Sequence, residues 1–240
     1  MSGRNGLTPI NRRAQNGGLS VTTSTGKVTR QSPSFASTDV VFIIDTTGSM
    51  FGKIQGLLAR ANQFADKIAS CQIDWRIAVV GFGDLTVHGD TIQATGFSNK
   101  LETVKRWINS IPRNSGGSND GESSLDALDR ALSFTTYRPN AIKVFVFMTD
   151  EPALMDHFTP EQIIKRLKQS GTITYVISDP IDYFQRMAKE TAGKWFQISS
   201  QTNFLNILDQ LFEKISETVE EVQTTTGGDV QKYLQLKSGK

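Results

Sequence analysis

Sulfur and imidazole are scarce in this chain: 240 residues carry one cysteine, Cys71, and two histidines, His88 and His157. A lone thiol excludes an intrachain disulfide, and nothing in the cysteine usage argues for an oxidising compartment. Cys71 stands just before a strand-like run and suits a small buried hydrophobe better than a nucleophile. Neither histidine lies in a recognisable catalytic context. No apolar run is long enough to span a bilayer, and the first residues lack the pattern of a signal peptide. These absences lead to the expectation of a soluble, cytoplasmic protein that does not engage a membrane.

Charge of one sign is also lacking overall, since the formal net charge is only +2. Its distribution is uneven. The first 36 residues hold Arg4, Arg12, Arg13, Lys27 and Arg30 and no acid, so the remainder is slightly acidic. Five dispersed cations without interleaved aromatics solvate a chain rather than read a nucleic acid, and no specific nucleic-acid binding is expected. That stretch is rich in Ser, Thr, Gly and Asn and poor in large apolar residues. It cannot bury enough surface to offset the entropy of ordering, which predicts a flexible basic arm over 1–36. The length that remains fits one α/β domain, here 37–222, and residues 223–240 read as a polar C-terminal tail.

What the domain does contain is an alternation of strand and helix patterns. Val40 to Ile44 is a continuous apolar run, as expected of a central strand covered on both faces. Ile54, Leu57, Leu58, Ala61, Phe64, Ala65 and Ile68 recur at helical spacing. A second strand runs from Ile73 to Phe82, and the shorter, more polar Thr91 to Gly96 fits an edge strand paired as a hairpin. Further strands are read at 142–148, 173–177 and 195–198. Helices are read near Leu101–Ile108, after Glu122, at Pro160–Gln169, near 183–191 and from Asn203 to about Val222. The pattern predicts a doubly wound, mainly parallel six-stranded sheet with one short antiparallel edge strand and helices on both faces. No internal repeat is apparent.

The most informative segment is Asp39-Val-Val-Phe-Ile-Ile-Asp45-Thr-Thr47-Gly-Ser49-Met50. A buried strand delivers one carboxylate and two hydroxyls within five residues, and Gly48 lets the backbone turn sharply. Such hard oxygen donors suit Mg²⁺, with Mn²⁺ or Ca²⁺ as alternatives, better than zinc. In an open parallel sheet, ligands collect beyond the carboxyl ends of the strands at a topological switch point. Asp45, the Gly-Gly loop over 116–122 and the strand-end Asp150 all fall at such ends.

These motifs, with Ile77-Ala-Val-Val-Gly-Phe-Gly-Asp84, Ala127-Leu-Asp-Arg-Ala-Leu132 and Val144-Phe-Val-Phe-Met-Thr-Asp150, resemble the von Willebrand factor A family over residues 39 to about 222. The likeness is greatest to the branch whose first loop reads Asp-Thr-Thr-Gly-Ser-Met. The resemblance implies a metal-ion-dependent adhesion site in which Asp45, Thr47 and Ser49 are first-loop ligands and Asp150 is the distal carboxylate. The third element departs from the family pattern, because the Gly-Gly loop has no threonine. Helix register puts Glu122 in that place, with Asp120 the next candidate. Asp120 has a competing role as a helix N-cap, and Glu122 one in favouring the positive end of that helix. A third carboxylate would leave a divalent site net negative, which disfavours capture of an acidic partner side chain.

The expected function is therefore a metal-dependent protein–protein interaction module, an adaptor whose cation bridges to another protein. No catalytic residue is identified. Mg²⁺-assisted phosphoryl transfer is the enzymatic alternative, but Thr47 takes the place of the second aspartate of an Asp-x-Asp phosphatase and no Walker-type loop follows a strand. A structural interaction domain with an unused ion site is the third reading. The resemblance further implies that the last helix slides when the site gains a ligand.

Overall fold

Strand β1 (Ala36–Asp45) lies inside the sheet of the computed structural model, which describes residues 36–70, 73–117, 121–134, 136–198 and 201–238. The expected arm, apart from Ala36, lies outside these residues, as does Cys71. β1 pairs in parallel with β2 (Ile73–Phe82) on one side and with β4 (Ile142–Met148) on the other. β5 (Thr172–Ser178) and β6 (Trp195–Gln197) extend the parallel run, and the two-residue β3 (Gln93–Ala94) closes the opposite edge antiparallel to β2. The order β3-β2-β1-β4-β5-β6 is the six-stranded, doubly wound sheet that the sequence pattern predicts.

The continuous apolar run of β1 is explained by burial on both faces. Val40, Phe42 and Ile44 join one core, covered by α1 (Phe51–Ser70), α2 (Leu101–Ser110) and α6 (Gln201–Thr226). Val41 and Ile43 join the other, covered by α3 (Ser124–Leu132), α4 (Pro160–Gln169) and α5 (Asp182–Glu190). The side chains alternate because successive Cβ atoms of a strand point to opposite faces. Helix α4 shows how local chemistry sets a boundary. Thr159 and Gln162 form a reciprocal capping box and Pro160 occupies the first helical position, so the helix begins where the sequence places it. Its Ile163, Ile164 and Leu167 are buried, each contributing on the order of 1.5–3 kcal/mol of transfer free energy.

At the entry of β1, Asp39 is fully buried and doubly clamped. Arg76 donates through Nε to Oδ1 at 3.0 Å and through Nη2 to Oδ2 at 2.7 Å. Arg138 adds its backbone N–H to Oδ2 at 2.8 Å and its Nε to Oδ1 at 2.9 Å. This network ties the starts of β1 and β2 to the segment leading into β4.

The expected polar tail is corrected by the structure. α6 continues to Thr226, the left-handed pair Gly227 (φ 66°) and Gly228 (φ 93°) reverses the chain, and α7 (Val230–Ser238) follows. Val230, Tyr233 and Leu234 of α7 are buried in the core shared with α6. Asp229 accepts from the Lys232 N–H at 3.0 Å, and Tyr233 donates its hydroxyl to Glu221 at 2.8 Å. Three buried apolar side chains, not the average polarity of the segment, decide that it packs.

Candidate metal centre

The parallel ladder runs past the end of β1, where Thr46 donates its N–H to the Phe82 carbonyl at 2.9 Å. The chain then bends through a 3-10 turn at Gly48–Met50 into α1. This bend turns the short side chains of the first loop back towards the strand end. Asp45 Oδ1 accepts from the Thr47 N–H at 2.9 Å and from the Thr47 hydroxyl at 2.6 Å. Asp45 Oδ2 accepts from the Thr149 hydroxyl at 2.8 Å. Ile44 lies opposite Met148 across β1 and β4, so Asp45 and Thr149 follow side by side and Asp150 comes one residue later. Ser49 donates its hydroxyl to Asp150 Oδ1 at 2.9 Å, and its oxygen lies 3.4 Å from Thr47 Oγ1. Four of the expected ligands, Asp45, Thr47, Ser49 and Asp150, thus form one hydrogen-bonded group at the switch point between β1 and β4.

Asp45 is 0 % exposed, and the groups that donate to its carboxylate, the Thr47 N–H and the Thr47 and Thr149 hydroxyls, are all neutral. Burial pushes its carboxyl above the usual carboxylate range, opposed by the hydrogen bonds from Thr47 and Thr149. A divalent ion would supply the positive charge that these donors do not.

Glu122 sits in the adjoining crevice. Its N–H donates to the Pro152 carbonyl, its carbonyl accepts from the Leu154 N–H, and the Ser123 N–H donates to the Gly83 carbonyl. The residue is therefore held between the exit of β2 and the loop after β4. Gly116, at φ 72°, separates Glu122 from Thr47: a Cβ at this position would lie 2.9 Å from Glu122 Oε1 and 3.3 Å from Thr47 Cγ2. Only glycine fits that gap without displacing a neighbour. Glu122 is 4 % exposed, and its Oε2 has no hydrogen-bond partner. Burial, then the charges of Asp45, Asp84, Asp90 and Glu151, push its carboxyl up to about 8. Among the described residues no three His, Cys, Asp or Glu side chains converge as a metal cage. The donors that do converge are two carboxylates and two hydroxyls, with Glu122 facing Thr47 from behind Gly116.

Asp120 lies outside the described residues. The helix that follows it, α3, begins at Ser124 and has Ser123 at its N-cap.

Three residues of the site escape sequence reasoning. Thr149 follows β4 with no pattern to single it out, yet it holds the second oxygen of Asp45. Asp90 organises the third loop, accepting from the N–H groups of Ser115 at 2.8 Å, Gly116 at 2.9 Å and Asp84 at 3.2 Å. Although burial opposes it, these donors hold the Asp90 carboxyl below its ordinary value. Lys53 places its ammonium 2.8 Å from Asp150 Oδ2 and 3.3 Å from the Ser49 carbonyl. The only sequence signal for Lys53 is its spacing, one helical turn after Ser49.

Among curated proteins, none shows significant sequence similarity to this chain. Solved structures do. Proximal thread matrix protein 1 from the mussel byssus superposes with a TM-score of 0.59 at 16% identity, covering 76% of this chain and 46% of that one. A second structure of that protein, with a zinc-occupied MIDAS motif, gives a TM-score of 0.59 at 18% identity over the same shares. The chain spans less than half the length of these neighbours, and at such identity the likeness shows the fold. The sequence profile of the von Willebrand factor type A domain matches residues 39–226, and with that match the chain belongs to the von Willebrand factor type A family.

Proposed function

We propose that this domain is a metal-dependent protein–protein interaction module that makes and breaks no covalent bond. Asp45, Thr47, Ser49 and Asp150 would hold a divalent cation, and the ion supplies an open coordination position for an oxygen of the partner. The observation that carries this reading is the buried Asp45 carboxylate, satisfied by neutral donors alone and linked through hydroxyls to Asp150 at the ligand-binding edge of the sheet. The all-oxygen donor set favours Mg²⁺ or Mn²⁺ over the zinc of the mussel protein.

The surface around the group supports a macromolecular partner. Among the described residues four large hydrophobics are exposed, and three flank this edge: Phe51 at 56%, Leu85 at 41% and Met155 at 54%. Phe51 follows the first loop directly, with the Arg113 guanidinium 5.9 Å over its ring. Leu85 donates its N–H to the Ser123 hydroxyl at 2.9 Å, and Met155 follows Leu154, which is bonded to Glu122. Apolar side chains around a polar centre exclude water when a protein surface closes over them, which strengthens the central contact.

Calorimetric titration of the full chain with Mn²⁺ and Mg²⁺ tests the reading, beside an Asp45→Ala variant and a chelator-treated affinity capture. Wild type should give a saturable heat that the variant lacks, and partner capture should be lost in chelator. Equal heats for the two proteins would overturn it.

A further inference from the structure

The Lys53 ammonium sits on the same carboxylate that the cation would engage. Asp150 has both oxygens committed: Oδ1 accepts from the Ser49 hydroxyl at 2.9 Å, and Oδ2 is paired with Lys53 Nζ at 2.8 Å. The first turn of α1 fixes this placement, because Lys53 lies four residues after Ser49 and also donates to its carbonyl at 3.3 Å. The pair is not an ordinary surface contact. Its side chains are 19% and 15% exposed, against 47% and 56% for Lys214 and Glu217. Exposed lysine pairs contribute little and are screened by salt, whereas charges withdrawn from water act on each other more strongly.

We propose that Lys53 is a built-in competitor for the cation, setting how tightly the site loads and what charge the loaded site presents. This deepens the ion-binding reading above and rests on it. An ion approaching Asp150 meets a positive charge on Oδ2, so loading requires that charge to give way or to be tolerated one helix turn from the ion. Lysine suits this task, being a point charge on a flexible stem that can withdraw, unlike the two-pronged guanidinium of Arg76 on Asp39. The second consequence concerns the partner. With Lys53 beside it, a divalent ion on Asp45 and Asp150 leaves the centre net positive, and adding the Glu122 carboxylate brings it only to neutrality. Lys53 thereby offsets the third carboxylate, and the loaded centre stays able to accept an acidic side chain.

The test uses Mn²⁺ alone with the full-length chain, by calorimetry, on wild type, Lys53→Met and Lys53→Arg. Removing a positive charge this close to the ion should tighten Mn²⁺ binding by about tenfold at low salt, with a smaller gain as salt rises. Lys53→Arg keeps the charge and should stay within about twofold of wild type. Ser49 still holds Asp150 in both variants, and thermal melts confirm that each is folded. Unchanged or weaker Mn²⁺ binding by Lys53→Met overturns the competitor role while leaving the ion-binding reading intact, since loss of a merely positioning contact weakens the site. No uptake by either wild type or Lys53→Met overturns both.

Discussion

Strand β1 carries a buried aspartate near each end, and the two are treated in opposite ways. Asp39 and Asp45 are both fully buried on the same strand. Asp39 is met by two guanidinium groups, one of them two-pronged, and by a backbone N–H. Asp45 is met by two hydroxyls and one backbone N–H. Where a carboxylate serves the fold, the chain brings its own permanent counter-charges. Beside the proposed ion site, the chain brings only neutral donors, and the Lys53 ammonium is placed on Asp150 instead. An uncompensated buried charge is costly, and the cation proposed at Asp45 would supply the counter-charge that its neutral donors do not.

Substitution at the two ends of the strand is the largest test of this contrast. Asp39→Ala strands two arginines and should destabilise the protein by about 3–5 kcal/mol in urea unfolding, with or without divalent ions. Asp45→Asn keeps acceptors for Thr47 and removes a charge that burial disfavours. It should change ion-free stability by less than about 1 kcal/mol while abolishing Mn²⁺ uptake. Comparable losses for both variants would break the division between structural and ion-binding carboxylates.

The next effect sharpens it with pH. Glu122 has its folded-state carboxyl raised from an ordinary 4.5 to about 8. Between these values the native chain holds a proton that the unfolded chain has released, so stability contributed by the neutral form is complete below 4.5 and is lost as pH rises towards 8. Thermal melts in chelator should fall over that window, and Glu122→Gln should flatten the slope. A slope that Glu122→Gln leaves unaltered would show that the crevice does not hold the proton. A loss well below that of Asp39→Ala is expected from Thr149→Val, which deletes one donor to Asp45 and should cost about 1 kcal/mol in denaturant. A loss as large as that of Asp39→Ala would mean that neutral donors carry as much as the arginine clamp.

Much of this architecture is legible in the sequence because local and global signals agree. The apolar run at 40–44 states a strand buried on both faces, and the alternation of strands with helices states a parallel sheet. Together with the rule for switch points, they place Asp45 and Asp150 on one edge, where Ser49 now joins them across 101 positions. What escaped depends on side-chain encounters that no periodicity encodes. Lys53 and Thr149 act on partners 97 and 104 positions away. Asp90 does its work through backbone N–H groups of a loop 25 residues downstream. α7 was hidden for a different reason: Gly227-Gly228-Asp229 reads as an ending, and the four apolar residues beyond it are too few to announce a helix until α6 offers three of them a surface.

The position of β1 between β2 and β4 also bears on biosynthesis. β2 follows it within thirty residues, but the other neighbour of β1 begins only at Ile142, so a chain emerging from the ribosome holds an apolar strand with one edge unpaired for a long stretch of translation. Unpaired edges of this kind invite association with other chains. Capture of the proposed ion could not protect the nascent strand during that interval, because Asp45 emerges long before Asp150. The proposed centre could assemble only once β4 has paired with β1, so divalent-ion uptake, if measured, would report on completed folding.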